Sequence, residues 1–273
     1  MSFSLKMVYP KRNSWSHKGD YGYVLIIAGN IRYTGSPVFN AVSALRAGAD
    51  LITIIGPERP MNIAARFLPD IITVPLDGEF LKPNHVSKIL DLTKSFDSLV
   101  IGCGLGVERQ TQKAILEIIK KANLPMVIDA SAISPLKDNY QILKGKNVVI
   151  TPNTPEFYKL TGEEVSPTLK DRKEKVKKYA TIIGATILLK GSIDVISNGR
   201  KLALNKTGSV YMTKGGFGDT LAGICGALLA RGLSSFKAAQ AAAYINGKAG
   251  ELAAKKHGEG LLASDIFNFI SAK

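Results

Sequence analysis

Cysteine, histidine and tryptophan are scarce in this chain of 273 residues, which holds two, three and one of them respectively. Cys103 and Cys225 lie far apart and outside any CxxC pattern, so neither a disulfide framework nor a zinc site is indicated. Each stands in small or apolar company and is expected to be a buried small hydrophobe. His17, His85 and His257 do not cluster, which argues against a His-based metal site. Long apolar runs are missing too. The N-terminal "MSFSLKMVYPKRNSWSHKGD" has no signal-peptide core and no later segment approaches a membrane span, so a cytoplasmic protein without a membrane partner is expected. No Pro/Gly/Ser-rich linker, internal repeat or low-complexity segment divides the chain. With 45% hydrophobic residues it can bury a full core, and one domain over residues 1–273 is expected.

Positive charge, by contrast, is abundant: the net charge is +14 and the isoelectric point about 9.7. Such a balance favours anionic partners, whether nucleic acid, a membrane surface or a phosphorylated small molecule. The excess is mostly lysine, with few arginines for bidentate readout and no RNP-like or zinc-finger pattern. A lysine-rich surface plus a phosphate-binding site is therefore preferred to a nucleic-acid binder. The densest run, "KDRKEKVKKY" at 170–179, is interleaved with acids and reads as the solvated face of a helix.

Short β-branched runs alternate with helical patterns. The strand candidates are "YVLIIAG", "LITIIG", "SLVIGCG", "PMVIDA", "NVVITPN" and "TILLKG", each ending in turn formers. Between them, "SPVFNAVSALRAG" and "QTQKAILEIIKKA" have helix spacing. This alternation predicts an α/β fold, a mostly parallel central sheet with helices on both faces. Asn198-Gly199 inside "DVISNGRKLALN" signals a hairpin, and from about residue 219 the chain reads as helices only. Ligands of such sheets bind at the C-terminal ends of the strands, where the chemically interesting stretches fall.

The most informative stretch is "TKGGFGDTLAGICGALLARG" at 213–232, six glycines and one acid. Leu221, Ile224, Cys225, Leu228 and Leu229 fall on one face of a buried helix beginning near Asp219. The loop Gly215, Gly216, Phe217, Gly218 thus feeds a helix N-terminus, where free amides and the helix dipole favour a phosphate or a developing anion. Asp219 can be an N-cap, or a general base taking a proton from a hydroxyl that attacks a phosphoryl group, and the two roles can coexist. The Walker pattern GxxxxGK[ST] is absent, so phosphoryl transfer would need this other cradle.

"GGFGDTLAG" resembles the GxGD loop of ribokinase-like kinases, in which glycine amides form an anion hole and the Asp is the catalytic base. The longer "MTKGGFGDTLAGICGALLARG" is similar to the signature of NAD(P)H-hydrate dehydratases, a branch of that superfamily. "SHKGDYGYVLIIAGNIRYTGSPVFNAVSALRAGADLITI", "GCGLG" at 102–106, "VIDASAI" at 127–133 and "LLKGSIDVI" at 188–196 resemble further motifs of the family, in order along nearly the whole chain. The resemblance implies a ribokinase-like three-layer sandwich. It also implies Asp219, Gly216 and Gly218 in catalysis, and nucleotide contact at Lys190, Gly191, Ser192, Ile193, Asp194, Gly215 and Gly218. Asn30, Ser36, Gly104, Gly106, Asn153 and Asp219 would contact the dinucleotide substrate. From the residues alone, Lys190-Gly191 could equally be a plain strand ending, "GCGLG" a turn, and His17 a structural hydrogen-bonding group.

Several positions depart from the family pattern. "TPNTPEFYKLTG" stands where TPHxGE is usual, leaving Asn153-x-x-Glu156, similar to the NxxE of vitamin kinases near magnesium and phosphate. Glu156 could hold Mg²⁺ through water, or Pro152 and Pro155 could simply make a turn capping the next helix. Ser131 replaces a second Asp, Asn246 a His-Gly pair, Phe217 and Lys214 threonines; Lys214 is either a charge beside the phosphates or an exposed solubilising residue. The reading so implied is a dehydratase of hydrated NADH or NADPH using Mg²⁺ and ADP or ATP, with ADP preferred. The family also implies a homo-oligomer and an epimerase supplied by another polypeptide. The rivals are a vitamin or sugar kinase on the same fold, favoured by Asn153-x-x-Glu156, and a nucleotide-binding protein without turnover.

Overall fold

A computed structural model describes residue 5 and residues 8–270. The strands are β1 (Tyr23–Ile27), β2 (Leu51–Pro57), β3 (Ile71–Leu76), β4 (Ser98–Ile101), β5 (Met126–Ile128), β6 (Val148–Ile150), β7 (Thr186–Leu189), β8 (Asp194–Ser197) and β9 (Leu202–Asn205). They form one nine-stranded sheet in the order β3-β2-β1-β4-β5-β6-β7-β8-β9. All pairings from β3 to β7 are parallel, and β8 and β9 add an antiparallel hairpin at one edge.

Burial on both sheet faces explains the near-continuous apolar runs. Successive side chains point to opposite faces, so Val24, Ile26 and Val100 join one core and Leu25, Ile27, Leu99 and Ile101 the other. Helices α1 (Ser36–Arg46), α2 (Glu58–Phe67), α7 (Phe217–Ala230) and α8 (Ser235–His257) pack on the first face. Helices α3 (Val86–Thr93), α4 (Arg109–Lys121), α5 (Thr154–Thr161) and α6 (Leu169–Ile183) pack on the second. In α6 only Arg172, Val176, Ala180 and Ile183 are buried, so the lysine-rich run is a solvated face as expected.

Helix α7 is apolar nearly all round because it is enclosed by α1 and the sheet. Gly223 faces the Asn40 carbonyl and Ser43 of α1, and Gly226 faces Val100 of β4, each too close to admit a Cβ. Those two glycines seat α7 deep enough for its N-terminus to reach the strand ends.

All six strand candidates and the hairpin are present, with Gly199 at φ 87° in the turn. Strand β3 was not among the candidates. It is an edge strand with Ile72 exposed and Pro75 in its register, so it has neither a buried apolar run nor clean alternation. Both cysteines are buried and free, as expected. Among the described residues, no helix is long and apolar enough to cross a membrane.

Candidate active site

Strands β2 and β3 lie on one side of β1 and β4 to β7 on the other, so the order reverses between β1 and β4. In such sheets the crevice at that reversal, beyond the carboxyl ends of the strands, is where ligands bind. Gly29-Asn30 follows β1, Gly102 to Gly106 follows β4, Asp129 follows β5, Asn153 follows β6 and Lys190 follows β7. The antiparallel β8 brings Asp194 to the same end.

Helix α7 enters this rim from the opposite face. Gly216 is its N-cap with φ 102°, and a Cβ there would stand 2.7 Å from Ala263 Cβ and 3.1 Å from the Phe39 ring. The first intrahelical bond runs from the Thr220 N–H to the Gly216 carbonyl at 2.9 Å. The amides of Phe217, Gly218 and Asp219 therefore lack an intrahelical acceptor and point out of the positive end of the dipole. Asp219 is the third helical residue rather than the N-cap, so the capping role is taken by glycine and the carboxylate is free for other work. Gly218 allows close approach: a Cβ there would sit 3.4 Å from Lys190 Nζ.

Around Asp219 the sheet supplies a compact polar cluster. Ser36 and Cys103 act on the Asp219 carboxylate and favour its ionised form. Asn40 donates to the Asp219 carbonyl at 2.6 Å and to Cys103 Sγ at 3.4 Å. Asp129, almost fully buried, accepts from Thr151 Oγ1 at 2.8 Å, Lys190 Nζ at 2.9 Å and Cys103 Sγ at 3.4 Å. Ligand atoms of Cys103, Asp129 and Asp219 lie within 4.8 Å of one another. Ala130, next to Asp129, is held at φ 49°, the one positive φ outside glycine among the described residues. A strained backbone beside a buried acid is common where a site fixes a group's direction.

This packing shifts the protonation equilibria. Burial, then the like charge of Asp129, raises Asp219 to about 6, against the weaker pull of Ser36, Cys103 and Lys190. Burial pulls the Lys190 ammonium towards neutrality, yet Asp129 and Glu156 outweigh it and hold its pKa above the ordinary value. Burial and the two nearby carboxylates raise Cys103, so the thiol stays protonated and is a hydrogen-bond donor.

Two groups of sequence-selected residues meet on either side of Asp219. A cavity of about 680 Å³ is lined by Lys190, Gly191, Ser192 and Asp194 and, across it, by Phe217, Gly218, Leu221 and Asn246. Asn153, Ala243, Gly247 and most of the 207–213 segment also line it, whereas Ile193 and Gly215 lie outside it. Asp194 is occupied in shaping the turn: it accepts from the Gly191 N–H at 3.0 Å and from Asn205 at 2.9 Å. On the crevice side, Ser36 stands 2.9 Å from the Cβ position of Gly104, and Asn30 Nδ2 stands 2.8 Å from that of Gly106. The Gly106 N–H donates to Ser131 Oγ at 3.1 Å.

The altered positions have local roles. Asn153 and Glu156 form a capping box at α5: the Asn153 side chain accepts from the Glu156 N–H and Glu156 accepts from the Asn153 N–H, each at 2.8 Å. Glu156 still lies 3.5 Å from Lys190 Nζ. Lys214 is exposed, and its ammonium ties the glycine loop to the Leu261 carbonyl at 2.8 Å. Phe217 is buried in the core beneath the cavity, so its ring forms the wall rather than filling the loop. Asn246 accepts from Thr220 at 2.8 Å and donates to the Phe217 carbonyl at 3.2 Å, bracing the start of α7. The His17 backbone N–H bonds Asp20, a local turn contact.

Sequence reading passed over Asp129 as a site residue. Its signal was available, an acid directly after the apolar strand run "PMVI", but its partners come from positions 103, 151 and 190.

A family profile for NAD(P)H-hydrate dehydratase matches residues 24–272. A bifunctional NAD(P)H-hydrate repair enzyme of Pyrobaculum aerophilum is 42% identical over 93% of this chain and 51% of its own length. The chain thus spans about half the length of the bifunctional relatives it matches. An ADP-dependent (S)-NAD(P)H-hydrate dehydratase of Nitrosopumilus maritimus is 36% identical over 98% of this chain and 93% of that protein. Among solved structures, an ADP/ATP-dependent NAD(P)H-hydrate dehydratase of Bacillus subtilis, co-crystallised with ATP and Mg²⁺, superposes with a TM-score of 0.85 at 28% identity, covering 97% and 93% of the two chains. A hydroxyethylthiazole kinase of Pyrococcus horikoshii, at 18% identity and a TM-score of 0.64, shares the fold alone. The fold is the ribokinase-like sandwich, and the chain belongs to the NAD(P)H-hydrate dehydratase family.

Proposed function

We propose that this protein dehydrates hydrated NADH or NADPH, using an adenine nucleotide as phosphoryl donor. The observation that carries the reading is Asp219, a carboxylate raised to about 6 beside free helix amides, between a nucleotide-sized cavity and the switch-point crevice. Hydroxide is a poor leaving group, so the ring hydroxyl is first converted to a phosphate ester. Asp219 takes the hydroxyl proton as its oxygen attacks the terminal phosphorus, and the donor's bridging oxygen departs with the electron pair of the broken bond. The amides of Phe217, Gly218 and Asp219 stabilise charge on the transferred group, and Lys190 lies 3.4 Å from the Cβ position of Gly218 to share it. The ring nitrogen's lone pair then expels inorganic phosphate, and loss of a proton from the neighbouring ring carbon of the iminium so formed restores the dihydropyridine.

Glu156 and Asp129 offer hard carboxylate oxygens suited to Mg²⁺, whereas Cys103 is a soft donor and suits it poorly. Bound Mg²⁺ would neutralise phosphate charge beside Lys190. ADP is the preferred donor within this reading, because relatives matched over nearly their whole length are named ADP-dependent. The kinase alternative has only fold-level likeness behind it. Self-association belongs to the same reading, with exposed Phe67 and Ile72 as available surface. So do a cytoplasmic setting, where dinucleotide and adenylate pools meet, and epimerisation of the hydrate by a separate epimerase.

The test is recovery of reduced-nicotinamide absorbance from hydrated NADH with Mg²⁺ and either ADP or ATP. Turnover that requires nucleotide, and that falls by roughly 10²-fold or more in Asp219→Asn, is expected. Nucleotide binding without recovery would transfer the assignment to a kinase.

A further inference from the structure

Glu108 immediately precedes α4, as its N-cap residue, yet its side chain makes no capping hydrogen bond. Its Oε2 is buried and has no hydrogen-bond partner. The same oxygen abuts the Cα of Gly106, which is held at φ 90° and leaves no room for a Cβ between itself, Glu108 Oε2 and Asn30 Nδ2. Asn30 is fixed in turn: its Oδ1 accepts from the Arg32 and Tyr33 N–H groups at 2.8 and 2.9 Å, which turns its Nδ2 towards Gly106. The carboxylate therefore stands against the loops that follow β1 and β4.

A buried acceptor left unpaired destabilises the fold, more so when it is charged. An arrangement in which neither the helix nor Asn30 satisfies Oε2 leaves that place to a donor arriving from the crevice. A phosphate would be repelled there, so the complementary group is an uncharged N–H or O–H.

We propose that Glu108 Oε2 accepts a hydrogen bond from the hydrated dinucleotide, making Glu108 a specificity-determining residue; this rests on the dehydratase reading. The ring carboxamide N–H and the hydroxyls of the ribose attached to that ring carry the required chemistry.

The experiment compares wild type, Glu108→Ala and Glu108→Gln on hydrated NADH and on the hydrated 3-acetylpyridine analogue, in which a methyl group replaces the carboxamide NH₂. In Glu108→Ala, kcat/KM on the natural hydrate should fall about tenfold or more, mainly through KM, as expected for losing a charged acceptor. Glu108→Gln keeps an acceptor oxygen and should restore most of it. Without substrate, the alanine variant should unfold at the same temperature as wild type or higher, because an unsatisfied group has been removed. If the loss in Glu108→Ala disappears on the acetyl analogue, the carboxamide is the donor; if it persists, a ribose hydroxyl is. Unchanged kcat/KM in Glu108→Ala overturns the proposal, as does a lower unfolding temperature without rescue by glutamine. Wild type inactive on the natural hydrate would instead remove the dehydratase reading itself.

Discussion

Asp219 is a carboxylate kept where charge is disfavoured, and that has opposite consequences for activity and stability. Burial first, and the like charge of Asp129 second, lift it from the ordinary carboxylate range to about 6. A base with that value is largely ionised at neutral pH yet strong enough to accept a proton in flight. Catalytic efficiency should rise with pH through about 6, and the limb should move to lower pH in Asp129→Asn, where the like charge is gone. The linkage runs the other way. Because the folded value exceeds the unfolded one, the group's contribution to stability is full below about pH 4 and is lost as pH rises through about 6. Asp219→Asn should therefore be more stable than wild type at pH 8, by at most about 2–3 kcal/mol for a shift of this size. The difference should shrink towards zero near pH 4. Urea unfolding of both proteins at several pH values reads this directly, and a pH-independent difference would show that Asp219 is not the titrating group.

At the scale of elements, the α5 capping box separates two roles that sequence could only superimpose. Asn153-x-x-Glu156 is compatible with a magnesium motif and with a helix start, and the structure shows the second in full. Glu156→Gln keeps the reciprocal cap, because glutamine serves at that position, but removes the charge 3.5 Å from Lys190. It should leave the unfolding midpoint nearly unchanged while raising the Mg²⁺ concentration needed for half-maximal turnover. Asn153→Ala should instead cost about 1 kcal/mol of stability, visible as a lowered midpoint. The same contrast marks how far sequence reaches. Alternating strand and helix patterns, and a glycine loop feeding an apolar helix, are local signals, so the sheet, the hairpin and α7 were legible. Strand β3 escaped because an edge strand half in solvent has no such pattern. Asp129, the thiol of Cys103 and the tether at Lys214 escaped for a different reason: their roles come from partners 22 to 61 residues away. Burial of Cys103 could be read from its neighbours, but its contact with two carboxylates could not.

For the whole molecule, the net charge of +14 bears on how ligands arrive rather than on the fold. The reaction proposed brings two anionic molecules, a nucleotide and a dinucleotide, to adjoining sides of one acid. Close to Asp219 the cationic supply is small, since Lys190 is already engaged with Asp129 and Glu156. Attraction must then come largely from lysines spread over the surface, acting through solvent. Such a field is long-ranged only at low salt: the Debye length falls from about 30 Å at 0.01 M to about 8 Å at 0.15 M. Over that range kcat/KM for each ligand should drop several-fold, while kcat, set by groups within contact distance, should change little. Neutralising individual surface lysines far from the crevice should each have only a slight effect. A flat salt dependence of kcat/KM would mean that short contacts at Lys190 and the α7 amides suffice to collect both ligands, and that the charge excess serves something other than this reaction.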